Sequence, residues 1–487
     1  MSNPALPELI SQAQTTEERF LRQIFVRDQM ADWSKQPLLM AKADGVFYWD
    51  VTGKRYVDAL SGIYTVSVGH NNRRVIEAIQ RQLDTLHFSP PMHGSNPVAV
   101  QLANLIAEIA PKIPPSRPSP TRGEGDFSPS PLVGEGRGGG WTVKFECAGS
   151  EVTEAAIKLA RQYHRLTGNP GKYKIISRYL SWHGSTMGSL SASGLKGRKT
   201  VNEPLAPGFL HVFPPTCYRC PFGKEYPSCK IICATLIGDV IEMEDPSTVA
   251  AVMVEPIGHT GGIIDPPPEY LPILREICNR YNILLIFDEI ITGMGRTGQM
   301  FAADTFGVVP DLICTAKGLS GGYIPLSALL CRQSIADAFW GPVETNPGFV
   351  EGHTFEGSPL ACAAGIAVLR EILERDLCAN VRKQGGVLRA GFERLARKYP
   401  VIGDIRGKGL LQGIEFVRDQ TTKERFPAET SLGLRVGRRA LQKGLLCRFD
   451  PHWLAFGPAL CVTTEQLEEM LVLLDRSLGE VLVEMKI

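Results

Sequence analysis

The stretch Leu284-Leu285-Ile286-Phe287-Asp288-Glu289-Ile290-Ile291 decides how this chain is read, together with Thr315-Ala316-Lys317-Gly318-Leu319-Ser320-Gly321-Gly322, about thirty residues further on. Each is a short apolar run that ends abruptly in a residue able to do chemistry, an acid in the first case and a lysine in the second. Runs of this length are too short for helices that bury all their sides, and they fit strands covered on both faces. From Trp141 to about Ser327 such runs alternate with segments of helical periodicity, which predicts a mainly parallel sheet flanked by helices.

A lysine at the end of an apolar segment loses hydration, so its ammonium pKa falls and the free amine becomes available to attack a carbonyl carbon. A carboxylate at the end of a neighbouring strand can hold a pyridinium nitrogen protonated. Pyridoxal phosphate (PLP) chemistry needs that pair. The same residues taken alone also fit a snorkelling lysine beside an ordinary strand-end Asp. Two neighbouring patterns bear on the choice. Gly149-Ser150-Glu151 opens a segment with Ala155, Ala156, Leu159, Ala160 and Tyr163 at helical spacing, and a helix start offers free amides and a positive dipole end to a phosphate. Ser181-Trp182-His183-Gly184 then sets an aromatic residue among small ones after the strand-like Tyr173–Ser177, suited to stacking on a flat ring.

In this order, with Glu255-Pro256-Ile257, Gly295-Arg296-Thr297-Gly298 and His353-Thr354-Phe355-Glu356-Gly357, the chain resembles the class III aminotransferases from about Gly45 to its C-terminus. The resemblance implies a fold-type I PLP enzyme: a large domain with a mainly parallel sheet plus a smaller α+β domain built from both chain ends. It also implies a homodimer, or a tetramer, with active sites at the subunit interface. Carried over by position, it makes Lys317 the residue that holds the cofactor aldehyde and moves the proton. Asp288 becomes the partner of the pyridine nitrogen, Trp182 and Ile290 the two faces of a ring clamp, and Gly149 and Ser150 the phosphate-binding helix start. Thr354 becomes a phosphate contact reaching across from the partner subunit. His183 and Glu255 join the cofactor-binding set, and Glu255 fits a structural hydrogen-bonding role equally well.

Substrate choice turns on an arginine and two absences. Where the family's glutamate-using members carry an Arg and a Glu, the matching positions here are Ala455 and Thr260, which disfavours the glutamate couple. Arg448 instead falls where the pyruvate-linked omega-aminotransferases carry a mobile arginine that can clamp a carboxylate bidentately, then swing aside for an apolar amine. Tyr64, His87 and Phe88 match pocket positions of that subgroup. The expected reaction is a ping-pong transfer from an amine or omega-amino acid to pyruvate. An isomerase of the same superfamily, such as an aminomutase or racemase, or a decarboxylating lyase, would use the same lysine and aspartate.

At 487 residues and 44% hydrophobic, the chain can bury a large core. A formal charge of +1 creates no field to draw nucleic acid or an anionic membrane. No apolar stretch is long enough to span a bilayer, and the N-terminus lacks a signal core, so small molecules are the expected partners and the cytoplasm the expected location. The expected division is residues 1–69 as an N-terminal part of the small domain, 70–350 as the large cofactor-binding domain, and 351–487 as the rest of the small domain. Phe20, Ile24 and Phe25 suggest a helical lead-in. Residues 114–140 are rich in Pro, Gly and Ser and carry two similar pieces, Pro118–Gly125 and Pro129–Gly136, which reads as a flexible surface insertion. Cys217, Cys220, Cys229 and Cys233 have a spacing that can close a tetrahedral zinc site, or can form a loop of reduced thiols or a redox-labile pair. The chemistry expected of the family needs no metal, and none is assigned.

Overall fold

The computed structural model describes residues 37–113, 140–346, 348–427 and 429–487, together with Leu21 and Ile24. The insertion between 114 and 139 and most of the N-terminal lead-in lie outside the described residues. The strands run in chain order as β1 (Met40–Asp44), β2 (Phe47–Asp50), β3 (Arg55–Asp58), β4 (Trp141–Glu146), β5 (Lys174–Arg178), β6 (Phe209–Val212), β7 (Val249–Val254) and β8 (Leu284–Asp288). They continue with β9 (Leu312–Thr315), β10 (Ser327–Arg332), β11 (Ile402–Lys408), β12 (Leu411–Phe416), β13 (Leu445–Leu446), β14 (Arg448–Asp450) and β15 (Trp453–Phe456).

A seven-stranded sheet in the order β4-β10-β9-β8-β7-β5-β6 forms the large domain. Strands β6, β5, β7, β8 and β9 pair in parallel, and β10 runs antiparallel to both of its neighbours, so it alone opposes the common direction. Every residue of β7, β8 and β9 is buried. Alternate residues enter different cores: Val252, Val254, Leu285 and Phe287 join one cluster, while Ala251, Met253, Leu284 and Ile286 join another. The period-two alternation of a strand thus sends side chains to two faces, and both faces are covered, which is why these runs carry no polar side.

Local chemistry sets the flanking helices. The helix Arg73–Thr85 is capped by the Asn72 side chain, which accepts from the N–H groups of Arg74 and Val75. Pro97 opens the helix Pro97–Ile109, where its missing N–H costs nothing, and Asn96 caps the same turn. The C-terminal helix Thr464–Met485 begins with a capping box between Thr463 and Gln466. Helices Pro359–Glu374 and Leu377–Lys398 lead out of the large domain toward the antiparallel sheet β11-β12-β15-β14.

The two chain ends meet in a third sheet, β1-β2-β3-β13, where Leu445 and Leu446 pair in parallel with Val57 and Asp58. Buried Arg296 adds a polar tie, donating to Ser61 Oγ at 3.1 Å and to the carbonyl oxygens of Leu410 and Pro458. No helix among the described residues is long and apolar enough to cross a membrane.

Candidate active site

Strands β4, β5, β7, β8 and β9 all point their C-terminal ends at one cavity of about 420 Å³. In open parallel sheets, the crevice outside those ends is where side chains and loop amides converge without interrupting the ladder. Gly149 and Ser150 follow β4, Trp182 and His183 follow β5, Glu255 follows β7, Asp288 ends β8, and Lys317 comes two residues after β9. All seven, with Ile290, line the cavity.

Asp288 and Lys317 leave neighbouring strands, since Asp288 is opposite Cys314 in the parallel pairing of β8 with β9. Lys317 is partly exposed to the cavity and adopts φ 45°, in the left-handed region. A non-glycine residue held there costs on the order of 1 kcal/mol, and such strain gathers where surrounding structure imposes a functional geometry. Asp288 is buried, and its two oxygens are held separately. Oδ1 accepts from the Ile290 amide at 3.1 Å, and Oδ2 accepts from His183 Nδ1 at 2.7 Å, with the histidine side chain fully enclosed. The sequence reading put His183 in the cofactor-binding set, but this orientation of the acid by a buried imidazole was not visible there.

Trp182 is half-buried at the cavity wall, with the Arg198 guanidinium 4.3 Å from its ring centroid. Its backbone N–H donates to Glu255 Oε1 at 3.1 Å, while Glu255 Oε2 accepts from the His259 amide, also at 3.1 Å. Burial raises the Glu255 carboxyl above its ordinary range. Glu255 therefore fastens the β5 and β7 loops together, the structural role that its sequence reading held open.

The helix Gly149–Leu166 starts on the cavity wall with no side-chain cap on its first turn. Those amides need a partner, and the dipole of an 18-residue helix favours an anion there. Ser150 Oγ accepts from the Ser185 amide at 2.9 Å, which draws the 184–185 turn over the helix start. Gly184 is required at that approach: it has φ 145°, and a Cβ on it would lie 2.8 Å from Ser150 Cα. The residues present thus fit PLP: an anion seat, an aromatic and an aliphatic wall, a buried oriented acid and a lysine.

Five predicted residues are not on this wall. Thr354 and His87 are exposed, and Phe88 packs its ring 5.9 Å from Phe355, the residue next to Thr354. Tyr64 is buried behind His259, with ring centroids 4.5 Å apart, and burial pushes its phenol up; among the described residues its hydroxyl has no hydrogen-bond partner. Arg448 lies further out, 5.5 Å from the Trp453 ring and 3.6 Å from Asp450. Trp453 in turn packs edge-on to His259. His259, which lines the cavity and connects it to Tyr64 and Trp453, was missed in the sequence because nothing local marks it.

The fold and site define a fold-type I PLP enzyme. The profile of the family "Aminotransferase class-III" matches residues 29–478, and the chain belongs to that family. It is 39% identical over 418 residues to the probable aminotransferase Rv3329 of Mycobacterium tuberculosis, covering 85% of this chain and 82% of that one. Its structure is similar to an (S)-enantioselective omega-transaminase from Thermomicrobium roseum, with a TM-score of 0.84, 31% identity and coverage of 95% and 97% of the two chains. It is equally similar to an amine transaminase of an uncultivated Pseudomonas species in its PLP-bound form, with a TM-score of 0.83, 31% identity and coverage of 94% and 99%. The chain is a PLP-dependent class III aminotransferase that transfers amino groups by a ping-pong mechanism.

Proposed function

We propose that this enzyme moves an amino group from an amine or omega-amino acid to pyruvate, with Arg448 as the group that tells the two substrates apart. The observation that carries the proposal is the pairing of Ala455 and Thr260 with Arg448. Ala455 is buried in β15 opposite Arg448 of β14, so the arginine stands on the strand next to the position that lacks one. Thr260, on the cavity wall, spends its hydroxyl on the Leu180 carbonyl at 2.9 Å and carries no charge to neutralise a second arginine. Arg448 is held by a loose pair with Asp450 and by the face of Trp453, contacts that its long side chain can leave at little cost.

The cofactor, when bound, supplies an aldehyde to take up the amino group and a ring to withdraw electrons from the adjacent carbon. The protein residues do the rest. The Lys317 amine holds the aldehyde between turnovers and, once displaced, moves the proton at the reacting carbon. Asp288, oriented by His183, keeps a proton on the ring nitrogen. Trp182 and Ile290 enclose the ring faces, and the amides at Gly149 and Ser150 with the Ser150 hydroxyl hold the phosphate. In the second half-reaction Arg448 binds the pyruvate carboxylate, and the amino group leaves as alanine.

Thr354 and His87 are exposed and half-buried Phe88 packs on Phe355, the neighbour of Thr354, which supports a homodimer or higher assembly in which they complete the partner's site. The sharing of the β1-β2-β3-β13 sheet by both chain ends supports the division into 1–69, 70–350 and 351–487, and a cytoplasmic location stays part of this reading.

A donor screen with pyruvate and with 2-oxoglutarate tests the acceptor, and equal use of both sinks it. Arg448→Ala is expected to lower kcat/KM for pyruvate by about tenfold to a hundredfold, the worth of a charge-assisted bidentate contact, and to spare a simple aryl amine. Equal losses on both substrates count against the switch. Stoichiometric appearance of ketone and alanine excludes an isomerase.

A further inference from the structure

The loop between β6 and the helix Ile232–Met243 takes no part in the transamination site, yet it carries the chain's densest group of cysteines. Cys217 begins a single helical turn, Cys217–Arg219, and Cys220 follows it, its carbonyl accepting from the Gly223 amide at 3.1 Å. Cys229 precedes two residues in the left-handed region, Lys230 (φ 50°) and Ile231 (φ 53°), and Cys233 falls in the first turn of the helix Ile232–Met243. A β-branched residue at positive φ is an uncommon conformation that the chain adopts only where its surroundings demand it. Here it turns the backbone so that Cys233 faces back toward the other three.

All four cysteines line one small void of about 20 Å³, walled otherwise by apolar groups such as Pro215, Pro221, Ile231 and Pro267, with Lys224 at its edge. That is room for about one water-sized body. None of the four is in a disulfide. The other three cysteines lie near enough to Cys233 to act on it electrostatically, which places the four side chains together around this void.

We propose that Cys217, Cys220, Cys229 and Cys233 form a tetrahedral thiolate site for a structural zinc ion. Among the described residues no three of these sulfurs lie within 4.8 Å of one another, so ligation draws the loop inward around the ion. Each thiol releases its proton to solvent as its sulfur binds, and no oxidation is involved. Four thiolates leave no open position, which makes the site structural rather than catalytic. Lys224 offsets part of the net negative charge of the tetrathiolate centre.

The site has a mechanical consequence. Arg219, between the first two ligands, donates to Glu415 of β12 and to the Lys423 carbonyl at 2.5 Å. Zinc in the loop thereby fixes the arginine that fastens the large domain to the C-terminal sheet, along a second cavity of about 620 Å³ lined by Tyr218, Arg219, Arg406 and Glu415.

The test is metal analysis of the full-length holoenzyme, grown with zinc and purified without chelator. The expected result is about one zinc per chain, and a Cys220→Ser/Cys233→Ser double variant whose zinc content falls by roughly tenfold or more. The variant should keep its bound PLP and its turnover at room temperature but melt at a lower temperature. PLP content and turnover report on the transaminase reading separately, so failure of one idea leaves the other standing. Zinc-free wild-type enzyme overturns the proposal, whether its twelve cysteines titrate as free thiols or some have paired as disulfides. Zinc retained in full by the double variant overturns it equally.

Discussion

At the scale of single residues, the proposed mechanism separates a lysine that bonds from a histidine that orients. Lys317→Ala removes the only amine the proposal gives to the cofactor aldehyde, so the covalently held cofactor absorbance should vanish and turnover fall by roughly a thousandfold or more. His183→Ala should behave differently. Asp288 would keep its bond from the Ile290 amide and lose the one from His183, so cofactor would still be held by Lys317 while kcat drops about tenfold to a hundredfold, as is common when a group that orients a chemical residue is removed. Absorbance spectra and steady-state kinetics of the two variants decide the matter. A silent His183→Ala would reduce that contact to packing.

Among elements, the joint between β8 and the helix Ala302–Phe306 is set by Glu289. This fully enclosed acid accepts from the amides of Ala302 and Ala303 at 2.6 and 2.8 Å and from the Thr292 hydroxyl, which satisfies the first turn of a helix whose N-cap, Phe301, offers no side-chain bond. Burial nevertheless wins and pushes the Glu289 carboxyl up to about 7. Glu146 at the end of β4 is pushed up to about 7 by burial too, with Lys144 and His353 pulling it down. A raised folded-state pKa means that, from about 4.5 to about 7, the folded chain holds protons that the unfolded chain has released. The stability these two groups contribute is therefore complete below about 4.5 and is lost as pH rises through about 7. Urea unfolding followed over that range should show stability falling with pH, and Glu146→Gln should flatten the slope. An unchanged slope in the variant would refute the assignment to Glu146.

For the molecule as a whole, the joining of distant segments matters most. Arg296 reaches Ser61 from one end of the chain and Leu410 and Pro458 from the other, and burial lowers its guanidinium to about 10. Arg296→Ala strands three buried acceptors at once, and a loss of roughly 3 kcal/mol or more in unfolding free energy is expected, measured by denaturant titration. The 114–139 stretch should matter far less. Its flanks already meet, since Trp141 Nε1 donates to the Pro111 carbonyl at 2.8 Å and a Cβ on Gly140 would lie 3.2 Å from the Ile113 side chain. Replacing the stretch with a short linker should leave turnover within about twofold, because loop length changes closure entropy only slowly. A folded but inactive deletion variant would overturn this.

Much of this protein was legible in its linear order. Continuous apolar runs ending in Asp288 and Lys317, helix starts at Gly149 and Pro97, and the Trp182 turn all rest on neighbours in sequence, where strand period, capping and dipole act over a few residues. What only the tertiary structure decided rests on contacts between residues far apart in the chain: His183 on Asp288, Glu255 between two loops, Tyr64 behind His259, and Phe88 against Phe355. Those pairings follow from how the sheet twists and which strands become neighbours. The energy that selects them is burial shared across the whole chain, which no local window contains.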